Sequence, residues 1–112
     1  MVKSKLNLKK NPTLKDFQKY VAEMIVERGF DNETMPEVFM LLLEECGEFA
    51  RSARKAQMHH IKAYKGKKHD SEVSLEAADV FLYLLNLCNR LGVDLEKAFR
   101  DKEEINKKRI WK

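Results

Sequence analysis

Glycine and proline are scarce in this chain, four and two among 112 residues. So little turn-forming chemistry argues against a many-turned β fold and favours helices. Cysteine is as thin. Cys46 and Cys88 stand in no metal or redox spacing, and each lies in an apolar run where a free thiol behaves as a small hydrophobe. Two unpatterned thiols point to a reducing compartment. The apolar runs are too short and too interrupted to span a bilayer. Met1–Lys10 is Lys-rich and lacks the apolar core of a signal peptide. The expectation is a cytoplasmic protein with no membrane partner.

Charge, by contrast, is abundant. Charged residues make up 36% and hydrophobic ones 44%, a mix that fits a folded helical protein rather than a disordered one. A chain of this length is one small domain with a limited core, and such folds often complete their burial by oligomerising. The net charge of +4 is built from alternating blocks. Residues 1–10 carry four Lys and no acid, and residues 11–50 hold nine acids against three bases. Residues 51–70 are basic again, 71–96 acidic and 97–112 basic. Acidic blocks flanked by basic ones suit an anionic, metal-bound ligand such as a nucleoside triphosphate. Solvated helix faces and a flexible basic tail would produce the same blocks.

The chain reads as four helices. Thr13 is placed to cap the first, with Asp16 in its first turn and Phe17, Val21, Met24 and Ile25 at helical spacing up to Gly29. Pro36 suits the first turn of a second, with Thr34 or Met35 at its cap, running to about Met58. His59–Ser74 reads as a short helical extension and then a basic, mobile loop that either gates a site or is merely solvated. Ser74 is placed to cap a third helix, Leu75 to about Leu91, ended by Gly92. Asp94 caps a fourth, Leu95 to about Ile110. The third is apolar nearly all round and needs cover on several sides. The expected architecture is all-α: four main helices in an antiparallel bundle completed by oligomerisation. Residues 1–11 form a disordered basic arm and 12–112 a single domain.

Two acidic clusters stand out against this background. Glu44-Glu45-Cys46-Gly47-Glu48 follows Phe39–Leu43, and Glu76-Ala77-Ala78-Asp79 precedes Val80–Leu85. At about 100° per residue, Glu44, Glu45 and Glu48 share roughly a 100° arc with Leu41, and Tyr83 falls between Glu76 and Asp79. Carboxylates on such stripes are not simply an outer face. Facing one another they repel, and a hard divalent cation relieves the repulsion. Neither cluster contains His, which weighs against di-iron and zinc sites.

With those residues in view, the chain resembles the MazG-like all-α nucleoside triphosphate pyrophosphohydrolases. Their Glu-x-x-Glu and Glu-x-x-Asp motifs match Glu45, Glu48, Glu76 and Asp79. Leu91–Ala98 is similar to a recurrent helix link, and Lys102, Asn106 and Arg109 fall on a closing Lys-x-x-x-Asn-x-x-Arg pattern. The resemblance covers about residues 13–111. It implies hydrolysis of an NTP or dNTP to monophosphate and pyrophosphate. It implies Mg²⁺, with Mn²⁺ as a substitute, held by Glu45, Glu48, Glu76 and Asp79, and a homodimer or homotetramer. Glu44 then orients or deprotonates the attacking water, or is a salt-bridged neighbour. Tyr83 reaches a phosphate oxygen or is a core Tyr. Lys102 and Asn106 contact substrate on the family pattern, and Arg109 serves phosphate or a partner subunit. Many relatives carry Trp and His in the loop before the first acidic helix. Here that loop is Gly29–Glu33, with Phe30 its only aromatic. His59 and His60 point about 100° apart on a helix, which weighs against a shared ligand role.

Two other readings compete. A phosphoribosyl-ATP pyrophosphohydrolase shares fold and acidic motifs, but the closing pattern favours the first reading. A non-catalytic helical dimer could instead bind nucleic acid through the basic segments. Nucleic acid is not the expected partner.

Overall fold

A computed structural model describes residues 4–58 and 70–111, the side chains of 70 and 71 excepted. The expected basic segment 59–69 and its histidines therefore lie outside the described residues. Those described are all-helical, with four α-helices and no strand: α1 (Leu14–Glu27), α2 (Met35–Gln57), α3 (Asp70–Arg90) and α4 (Leu95–Lys107), plus a short 3₁₀ turn at Phe30–Asn32. No helix among them is long and apolar enough to cross a membrane. The chain divides into two compact units. The first joins residues 1–32 to 85–112, and the second is 33–84.

In the first unit, Thr13 caps α1 with a reciprocal pair. Its hydroxyl accepts from Asp16 N at 3.2 Å, and its own amide donates to Asp16 Oδ2 at 2.8 Å. Lys9 pairs with the same carboxylate at 3.1 Å. The backbone donation from Thr13 and then the Lys9 contact hold the Asp16 carboxyl below its ordinary value. The apolar stripe of α1 is buried at Val21, Met24 and Ile25, and Leu85, Leu87 and Cys88 supply the buried apolar residues at the end of α3. Helix α3 then stops in a Schellman turn. Gly92 adopts φ +69°, the Val93 amide donates to Cys88 O at 2.8 Å and the Gly92 amide to Asn89 O at 3.3 Å. Asp94 caps α4 through Lys97 N at 3.2 Å.

The second unit holds α2 and the first part of α3. Thr34 caps α2 as Thr13 caps α1, accepting from Glu37 N at 3.3 Å while Glu37 Oε1 accepts from Thr34 N at 3.0 Å. Val38 is fully buried.

Two boundaries differ from expectation. Among the described residues helix α3 already runs from Asp70, so Ser74 lies inside it rather than at its cap. Val73, Ala77 and Val80 share one half-buried face, so the apolar stripe reaches upstream of Ser74. Helix α4 stops at Lys107 rather than Ile110. Ile110 and Trp111 remain 88% and 71% exposed, so extending the helix would gain no burial to offset ordering it.

Candidate metal centre

The second unit brings together acids from two helices. Glu45 comes from α2, and Glu76 and Asp79 come from successive turns of α3. One carboxylate oxygen of each lies within 4.8 Å of the others, and all three residues are half-buried. The helical arithmetic explains why two come from α3, since residues three apart share a face. It does not select Glu45 among the acids of α2; packing does. Glu44 and Glu48 on the same helix are exposed. Glu48 lies outside the converging trio, one turn beyond Glu45.

The electrostatics follow from that placement. Burial pushes the Glu45 carboxyl above its ordinary value, and the charges of Asp79, Glu76, Glu44 and Glu48 push it further. Burial is also the first cause of the raised Tyr83 hydroxyl, followed by the charges of Glu33, Glu45, Asp79 and Glu44. Tyr83 therefore stands in the field of the same acids, as its wheel position implies. Glu33, just ahead of the Thr34 cap, was not singled out by sequence reasoning. It belongs to no apolar period and no motif, and only the folded unit brings its charge to bear on Tyr83.

This donor set fits a hard divalent cation. Three carboxylate oxygens within 4.8 Å of one another supply hard ligands only, the donor type that such cations take. The repulsion that raises Glu45 is what a cation would cancel.

The remaining candidates lie in the first unit. Lys102 and Asn106 are one turn apart on α4, Lys102 exposed and Asn106 half-buried. The Asn106 Oδ1 is buried with no hydrogen-bond partner among the described residues. Arg109 follows the helix end, its guanidinium 5.9 Å from the centre of the Trp111 ring.

Comparison with known proteins adds to this geometry. A family model described as the MazG nucleotide pyrophosphohydrolase domain matches residues 33–110, a span that contains every candidate named above. The chain is 31% identical over 100 residues to dCTP pyrophosphatase 1 of Rattus norvegicus, covering 88% of this chain and 59% of that protein. The Homo sapiens protein of the same name is similar to the same extent. A dATP/dGTP diphosphohydrolase of Cyanophage S-2L is 40% identical over 70 residues, covering 62% of this chain and 51% of that protein. The chain thus spans a little over half the length of the curated relatives it matches.

Proposed function

From the chain's membership of the MazG nucleotide pyrophosphohydrolase family, we propose that it hydrolyses a nucleoside triphosphate or deoxynucleoside triphosphate between the α- and β-phosphates, releasing monophosphate and pyrophosphate in nucleotide-pool house-cleaning. The observation that carries this reading is the convergence of Glu45, Glu76 and Asp79 within 4.8 Å. These three residues, with Glu48 one turn along α2, would hold Mg²⁺, and Mn²⁺ would substitute. When bound, the cation supplies charge neutralisation of the triphosphate and acidification of water.

The chain's own groups have the following roles in this reading. Glu44, exposed beside Glu45, orients a water for in-line attack and accepts its proton. The new bond forms from the water oxygen to the α-phosphorus, and the bridging bond to the β-phosphate breaks with its electron pair leaving on pyrophosphate. Tyr83, its hydroxyl kept protonated by burial and by the surrounding acids, donates to a phosphate oxygen. Lys102 and Asn106 contact substrate, and Arg109 serves phosphate or a partner subunit, on the family pattern. Assembly into two or four copies belongs to the same reading. It is supported by Met40 and Leu43 on α2, 69% and 70% exposed. A reducing, cytoplasmic setting is supported by two free thiols, Cys46 exposed and Cys88 buried.

The test is pyrophosphate release with Mg²⁺ across a nucleotide panel. The panel starts with deoxynucleotides, because the relatives' names specify dCTP and dATP/dGTP. Activity is expected on at least one nucleotide, abolished by Glu45→Gln or Asp79→Asn. Folded wild-type protein that releases no pyrophosphate from any common or damaged nucleotide overturns the reading.

A further inference from the structure

Gln18 lies on α1, outside the stretch that the family model matches, yet its side-chain amide is committed to the segment leading into α4. Its Nε2 donates to Asn89 Oδ1 at 3.0 Å and to Val93 O at 2.8 Å. Its Oε1 accepts from Leu95 N at 3.0 Å. Asn89 Nδ2 returns a bond to Gln18 O at 2.8 Å. Leu95 opens α4, so its amide is one of the donors that a helix start leaves without a partner. One amide therefore ties together α1, the end of α3 and the start of α4, all within the first unit. Both of its donor hydrogens and its oxygen are used, and the bonds are part-buried, where they are stronger and strand polar groups if broken.

This joint sits at the root of a lever. Asn106 is eleven residues beyond Leu95, about 16 Å along the helix axis, so a tilt of about 4° at the root moves Asn106 by about 1 Å. Lys102 rides on the same helix, and Asn106 Oδ1 is the buried acceptor without a partner among the described residues. We propose that Gln18 is a positioning residue for substrate: by fixing Asn89, Val93 and Leu95 it sets the direction of α4 and hence the placement of Lys102 and Asn106. Nucleotide affinity is thereby governed from a helix that the family match does not include. This inference rests on the enzyme reading above.

The experiment compares full-length wild type, Gln18→Met, Asn106→Ala and the double variant in the Mg²⁺-dependent pyrophosphate assay. Gln18→Met keeps the side-chain length and removes the three bonds. Its KM is expected to rise about tenfold with kcat nearly unchanged, inside the ~100-fold loss that a 1 Å misplacement far from the chemistry can produce. On the Asn106→Ala background the same substitution raises KM by less than it does in wild type, because only the part of its effect that passes through Lys102 remains. An unchanged KM in folded Gln18→Met, a fall in kcat alone, or KM effects that simply multiply overturns the inference while leaving the enzyme reading intact. Wild type inactive on every nucleotide sinks the enzyme reading, and this inference with it. Should Gln18→Met fail to fold, Gln18→Glu retains the acceptor for the Leu95 amide and carries the same comparison.

Discussion

Glu45 is half-buried, and four other carboxylates act on it. A carboxyl raised above its ordinary value of 4.5 binds protons in the folded state that the unfolded state has already released. In metal-free protein its contribution is therefore favourable on the acid side. It is withdrawn as pH rises through the window between 4.5 and the raised value. Thermal melts in EDTA are expected to fall across that window for wild type, and the Glu45-dependent part of the slope to vanish in Glu45→Gln. The same acids predict a response to cation. Millimolar Mg²⁺ raises the wild-type melting temperature, since a ligand at ten times its Kd stabilises by about 1.4 kcal/mol. Asp79→Asn and Glu76→Gln lose most of that shift while staying folded without metal. A scan of melting temperature against Mg²⁺ checks both.

Among the elements, helix starts were legible because a cap is a local bargain between one side chain and amides three residues on. Thr13, Thr34 and Asp94 each make the contact their sequence context predicts. Thr34→Ala is expected to cost about 1 kcal/mol, roughly 4 °C in melting temperature, with activity retained because Glu44, Glu45 and Glu48 lie more than two turns further on. Gly92 is the other local anchor. At φ +69° any side chain is strained, so Gly92→Ala destabilises by about 1 kcal/mol even though open space surrounds the added methyl. Chemical denaturation of both variants measures these differences. The start of α3 and the end of α4 were less legible. Whether a helix continues past a plausible cap depends on what the next turn buries, and Val73 at one end and Ile110 at the other were decided by packing.

For the whole molecule, the apolar surface of α2 is the feature with consequences. Met40 and Leu43 stand one turn apart and largely exposed, and Gly47 and Ala50 continue their stripe. A second copy is the proposed cover. Met40→Lys together with Leu43→Lys is therefore expected to lower the molar mass in sedimentation equilibrium. A wild type that sediments as a monomer at micromolar concentration defeats that part of the proposal.

The sequence by itself determined the helical class, the caps of α1, α2 and α4, the i, i+3 pairing of Glu76 with Asp79 and the family. All of these depend on residues within a turn or two of each other, or on a pattern along the chain. Tertiary structure alone decided that of the motif's Glu45 and Glu48 it is Glu45 that meets the α3 pair, that Glu33 acts on Tyr83, and that Gln18 closes on Asn89, Val93 and Leu95. Those partners are tens of residues apart in the chain. A helical wheel gives the direction of a side chain about its own axis and contains nothing about which other helix stands opposite.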